Sequence, residues 1–148
     1  MEDIIKEKIS ADHLLYVSLK YTKTCDVILN LISRWKSLIE TAFDSLLREG
    51  VERGFVPHKP ISPKQRIEFI KKYYSKYPQI QEVIPLYIFF KRIPDLEKSR
   101  EGEFRKNVNL KVYEKNKETN INMEKLGEYA EIINEFVAAT KEILYNKR

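Results

Sequence analysis

Arg53 and His58 are separated by four residues in the run Arg53-Gly54-Phe55-Val56-Pro57-His58. A histidine titrates near neutral pH and can move a proton, and an arginine can stabilise the charge of a phosphorane-like intermediate. The pair therefore holds the ingredients of metal-free RNA cleavage, and Arg53 and His58 are the candidate catalytic residues. The same glycine- and proline-containing run also reads as an ordinary connection between two helices. A second cluster follows at once. Lys59, Lys64, Arg66, Lys71, Lys72 and Lys76 meet only one acid, Glu68, within residues 59–77, and they carry the whole net charge of +5. At 100° per residue Lys64, Lys71, Lys72 and Lys76 fall on one arc bordered by Phe69 and Tyr73. Cations that meet phosphates beside rings that stack on bases are the physical recipe for binding single-stranded nucleic acid. Lys64, Arg66, Lys71, Lys72 and Lys76 are thus the candidate contacts to RNA or another polyanion. The competing reading is a plain solvated helix face whose lysine stems cover apolar neighbours.

Other reactive side chains read as structure. Cys25 sits on an apolar stripe with no positive group placed beside it, which suits the core rather than a nucleophile. Trp35 suits the core or an interface. His13, after Asp12, reads as a surface imidazole beside a helix-capping aspartate. Glu49, Glu52, Glu101 and Glu103 lie near loops without the spacing of a metal site. One cysteine and two histidines supply neither an internal disulfide nor a zinc ligand set. Phosphate-loop, dinucleotide-binding and nucleophile-elbow patterns are missing from the sequence, so no metal and no cofactor are expected.

These residues must be positioned by a chain of 148 residues, about one domain in length. With 43% hydrophobic and 33% charged residues it is too apolar for a disordered chain and too charged for a membrane protein. The longest apolar run, Val83 to Phe90, is interrupted by Pro85 and falls far short of the ~20 residues of a bilayer span. Met1-Glu2-Asp3 opens without a basic leader, and Tyr145-Asn146-Lys147-Arg148 carries no lipidation signal, so a cytoplasmic address is expected.

Residues 11–49 contain no Gly or Pro, and apolar residues recur every three or four positions from Leu14 through Val17, Tyr21, Cys25, Ile28, Ile32, Trp35 and Ile39 to Leu46. This predicts helix. As one rod it would span roughly 55 Å at ~1.5 Å per residue, against about 38 Å for a compact domain of this size. A break at Asn30 or Ser33, with Ser33 capping a second helix, is preferred over a protruding rod. After a loop at 50–61, Ser62-Pro63-Lys64-Gln65 gives a cap, a first-turn proline and a capping-box glutamine, starting a helix that runs to Tyr77 and buries Ile67, Ile70, Tyr74 and Tyr77. Residues 79–93 read as a kinked or two-piece helix, and 95–106 as a short helix that ends near Gly102. Val108, Leu110 and Val112 alternate with polar residues, predicting an extended or β-hairpin arm at 107–121. Asn122 caps a last helix from Met123 to Tyr145, whose stripe holds Leu126, Ala130, Ile133, Val137, Thr140 and Leu144; Lys147 and Arg148 at its end suit the helix dipole. The predicted fold is all-α: one domain, a bundle of four or more helices with a minor arm. Because two strands alone are marginally stable, the arm must lean on helices or on another chain. With the long first region it points to a homodimer, with a protein partner as the alternative.

In this order of elements the chain resembles the HEPN superfamily of small helical bundles. Residues 21–28 and Trp35 through Leu47 are similar to its first helical hairpin, and Phe104-Arg105-Lys106-Asn107 to the neighbourhood of its Arg-x4-6-His motif. The resemblance spans roughly residues 11–145. It implies a metal-independent ribonuclease of toxin type, or an inactive version that partners a nucleotidyltransferase, commonly as a dimer with the motif at the interface. Counted from Arg105, Leu110, Lys111 and Val112 stand where the histidine belongs. The expectation is therefore a non-enzymatic binding module, with the ribonuclease or a structural subunit as alternatives.

Overall fold

The computed structural model describes residues 1–146. Helix α1 (Glu2–His13) continues through a π-helical turn at Leu14–Ser18 and one α-helical turn, α2 (Leu19–Tyr21). The chain leaves helical geometry at Thr22 and re-enters it at Thr24, which caps the long helix α3 (Cys25–Arg53) by accepting from the Val27 N–H at 3.3 Å. The first helical region thus begins nearer the amino terminus than residue 11, and its break lies at 22–24 rather than at Asn30 or Ser33. Both of those residues are interior to α3. The stripe repeat runs unbroken from Val17 through Tyr21 to Cys25, so spacing alone cannot show the interruption. Val17 and Tyr21, counted with the core from their spacing, are exposed instead. Asp12 is likewise no cap: it pairs with Lys8 at 2.7 Å inside α1. After the break α3 folds back along α1, and Arg34 meets Glu7 at 3.5 Å.

Helix α3 is the axis of the core and buries twelve residues, from Cys25 to Gly50. Gly54, at φ +88, closes it in the left-handed conformation that glycine adopts without strain. Gly50 lets the following loop close onto the helix, because a Cβ there would lie 2.4 Å from Val56 Cγ2. Ser62 then caps α4 (Pro63–Tyr73) through the Gln65 N–H at 3.1 Å, while Gln65 Oε1 accepts from the Ile61 N–H at 2.8 Å. The helix ends at Tyr73 rather than Tyr77. Ile70 and Tyr74 are buried, and the Tyr74 hydroxyl donates to the Leu46 carbonyl of α3. Helix α5 (Pro78–Arg92) is one continuous element with Pro85 inside it, not two pieces.

Residues 95–106 overturn the short-helix expectation. A single 3₁₀ turn (Ile93–Asp95) leads into strand β1 (Glu97–Glu101), which pairs antiparallel with β2 (Asn109–Glu114). Strand β2 pairs in turn with β3 (Lys117–Asn122), so the arm is a three-stranded antiparallel sheet in the order β1-β2-β3. Val108, Leu110, Val112 and Ile121 are buried, and the sheet rests on α3 and α6. The support a bare hairpin would need from a second chain is therefore found within this one.

Helix α6 (Met123–Tyr145) starts at Asn122, whose side chain accepts from the Lys125 N–H at 2.8 Å. Its buried face includes Tyr129, Phe136 and Ile143 besides Leu126, Ala130, Ile133 and Thr140, whereas Val137 and Leu144 are half-buried. Lys147 and Arg148, expected to favour its end, lie outside the described residues. Phe43 joins the layers, edge-on to Tyr87 of α5 at 5.5 Å and to Phe136 of α6 at 5.7 Å. Trp35 belongs to the core, stacked on Phe90 at 6.0 Å. The architecture is mostly helical with one small sheet.

Candidate functional site

Helix α4 is anchored to the carboxyl-terminal half of α3 through its inner face, and that anchoring fixes what it presents outward. Lys64, Lys71 and Lys72 are exposed on α4, and Lys76 is exposed in the turn that follows. Within the described residues none of these four ammonium groups lies within 4.0 Å of a carboxylate, whereas five arginines do form ion pairs. Glu68 projects between Lys64 and Lys72 on the same arc, but it makes no ion pair with them. It dilutes the field of the face without tying down a lysine. Lys72 Nζ lies 5.3 Å from the Tyr73 ring centre and Lys76 Nζ 5.8 Å from that of Tyr77. Phe69 is half-buried and packs edge-on against Tyr73 at 5.4 Å. The rings at this border are thus shared with the protein's own packing.

Arg66 does not belong to the outward face. It projects ~200° from Lys64 at 100° per residue, and the structure turns it toward α3 and α5. Its guanidinium donates to Asp44 Oδ1 at 3.3 Å and to the Tyr87 hydroxyl at 3.0 Å, and lies 3.7 Å from Glu40 Oε2. Tyr87 in turn donates to Glu40 at 2.7 Å. Burial by itself would lower the Arg66 pKa, yet Tyr87 and Asp44 facing it hold the pKa above the ordinary arginine value. Burial, then the bond to Glu40, push the Tyr87 hydroxyl upward as well. With its side chain 18% exposed, Arg66 spends its hydrogen bonds on joining three helices.

Arg53 and His58 are engaged with different partners. The Arg53 guanidinium binds Glu49 Oε2 at 2.6 Å and donates to the Ile143 and Asn146 carbonyls at 3.1 and 2.8 Å. It therefore serves the carboxyl end of α6, where a cation complements unpaired carbonyls. His58 Nδ1 lies 2.7 Å from the Lys59 carbonyl, and its ring packs edge-on to Phe69 at 5.3 Å. No hydrogen bond joins the two side chains, so the proton donor and the charge stabiliser of a cleavage site are engaged elsewhere.

Cys25 is buried, and its thiol donates to the Asn109 carbonyl at 3.4 Å. Burial, then the neighbouring Glu103 carboxylate, push its pKa up to about 11, which leaves almost no thiolate at neutral pH. Among the described residues no three His, Cys, Asp or Glu side chains converge in a way that could hold a metal ion. A cleft of about 580 Å³ between α5, the β2–β3 hairpin and the start of α6 is lined by charges, several of them paired with one another. Arg92 pairs there with Glu114 at 3.0 Å and Lys125 with Glu128 at 3.3 Å. No helix among the described residues is long and apolar enough to cross a membrane. The chain matches no protein-family model, no curated protein and no solved structure.

Proposed function

We propose that this chain is a non-enzymatic module that binds RNA or a similar polyanion through the outer face of α4, with Lys64, Lys71, Lys72 and Lys76 as the phosphate contacts. The observation that carries this reading is the contrast in how cations are used. Five arginines are spent on ion pairs within the fold, while these four lysines stand together, exposed and unpaired. Arg66, first grouped with them, is left out because its hydrogen bonds are internal. A ribonuclease reading through Arg53 and His58 has no such support, since each is engaged apart from the other.

Phosphate contacts displace condensed counterions, so the binding must weaken steeply with salt. Four contacts to a single strand predict a log–log slope near −2.8, or about a 50-fold loss of affinity between 50 and 200 mM salt. Fluorescence anisotropy with a labelled 15-nucleotide oligouridylate measures this directly. A loss of about that size or more is expected; affinity that falls less than about threefold would reject the reading.

A further inference from the structure

Two backbone irregularities meet at the corner where the first helical region breaks. The π-helical turn at Leu14–Ser18 widens the helix by one residue and leaves Tyr16 and Val17 facing solvent. Such turns interrupt a regular helix at a cost and are commonly kept at functional sites. Across the gap, the β1–β2 loop is strapped to the break. The Phe104 N–H donates to the Lys23 carbonyl at 2.6 Å, Glu103 accepts from the Cys25 N–H at 3.3 Å, and Arg100 pairs with Asp26 at 2.8 Å. Inside this loop Phe104 is held at φ +66, a left-handed conformation that a bulky L residue rarely adopts. The ring so placed does not enter the core; it is 75% exposed. Tyr21 is 77% exposed and Tyr16 60%, which makes these three the most exposed aromatic rings of the described chain.

The charges around the rings have one sign left over. Lys20, Arg105 and Lys106 are exposed, Lys23 is half-buried, and none of the four pairs with a carboxylate within 4.0 Å among the described residues. Lys20 Nζ lies 5.8 Å from the Tyr21 ring centre, and Lys23 Nζ donates to the Lys20 carbonyl at 2.8 Å. The acids at this corner are already engaged: Asp26 with Arg100, and Glu103 with the Cys25 N–H and, at 3.8 Å, with Arg100. Exposed rings on the two strapped segments, with unpaired cations next to them in the chain, suit a ligand that offers flat apolar faces joined by negative links.

From this geometry we infer a second site, a stacking platform for single-stranded nucleic acid, in which bases lie on Tyr21, Phe104 and Tyr16 and phosphates meet Lys20, Lys23, Arg105 and Lys106. It does not rest on the α4 reading. Arg66 of α4 meets α3 at Asp44, whereas this corner is at Cys25, so the two surfaces stand roughly 30 Å apart at ~1.5 Å per residue along α3. The α4 face needs only phosphates; the corner needs bases. An anionic bilayer could also attract rings and cations, since Val17 is exposed here and Ile9 and Ile5 are exposed further back along α1; the vesicle arm of the test below separates it from the nucleic-acid platform.

The test compares two probes on the intact chain: the labelled 15-nucleotide oligouridylate, and inorganic polyphosphate, which has phosphates and no bases. Tyr21→Ala combined with Phe104→Gly should lower oligouridylate affinity about tenfold or more, because each stacked base contributes measurably. Polyphosphate affinity should stay within about twofold. Phe104→Gly is chosen because glycine accepts the left-handed backbone, so the melting temperature should hold or rise by up to about 3 °C. Unchanged oligouridylate affinity, or an equal loss for both probes, would overturn the platform. So would binding to phosphatidylserine vesicles that disappears in the double variant while oligouridylate binding persists. If the intact chain ignores polyphosphate, the α4 reading fails, and the corner is still judged by the oligouridylate arm.

Discussion

Reversing two charges on α4, Lys71→Glu with Lys72→Glu, is expected to weaken oligouridylate and polyphosphate binding about 30-fold at moderate salt. Each reversal removes one attraction to phosphate and adds one repulsion. Four such exposed interactions at roughly 0.5 kcal/mol each give about 2 kcal/mol, which is close to 30-fold in affinity. The salt slope should become shallower by about 1.4, since two contacts to a single strand disappear. Glutamate and lysine have similar helix propensities, so α4 persists, although acids in its last turn oppose the helix dipole by a few tenths of a kcal/mol each. Lys71→Gln with Lys72→Gln removes the attraction without the repulsion and should give an intermediate loss. Reversing Lys6 and Lys117, exposed on α1 and at the start of β3, changes the net charge by the same amount and should leave affinity within about threefold. Equal losses in that control would mean that overall charge, and not the α4 face, attracts the polyanion.

Arg66→Ala should show the opposite pattern: a large loss of stability and unchanged binding. Removing the guanidinium leaves Glu40 and Asp44, one helical turn apart on α3, without the cation between them, and takes one partner from the Tyr87 hydroxyl. Deleting one member of a fully buried ion pair costs about 3–5 kcal/mol. With Arg66 partly open to solvent, a cost of about 2–3 kcal/mol is expected, or roughly 8 °C in melting temperature. Arg66→Lys should recover little, because one ammonium cannot reach Asp44, Tyr87 and Glu40 as two guanidinium nitrogens do. Measured well below the unfolding transition, oligouridylate affinity should be the same as for the unaltered chain. A tenfold loss of affinity with intact stability would return Arg66 to the binding face.

The pair of outcomes separates what spacing reveals from what it conceals. The starts of α4 and α6 were legible because Ser62-Pro63-Lys64-Gln65 and Asn122 carry their capping chemistry locally, and the structure uses both caps. The lysine arc was legible because a helix face is a matter of angles. Arg66 was misplaced for a related reason: a count of cations along the segment ignores that its projection is nearly opposite Lys64. Strand β1 was hidden because Glu97-Lys98-Ser99-Arg100-Glu101 contains no apolar residue; it is an edge strand, held by the ladder to β2. The break at 22–24 was hidden because Tyr21 and Cys25 keep a helical spacing across it, while the Glu103 carboxylate that helps end it comes from far along the chain. The left-handed Phe104 leaves no periodic signal at all. In sequence Phe104-Arg105-Lys106-Asn107 resembles the neighbourhood of a nuclease motif, whereas the strap that ties this loop to the break at Lys23 is a tertiary contact that no spacing announces.

Lysine acetylation footprinting, read residue by residue by mass spectrometry with and without inorganic polyphosphate, tests the α4 face where it would be touched. Protection of Lys64, Lys71, Lys72 and Lys76, with Lys6 and Lys117 unaffected, is the predicted result. Full reactivity of those four lysines in the presence of bound polyphosphate would contradict it.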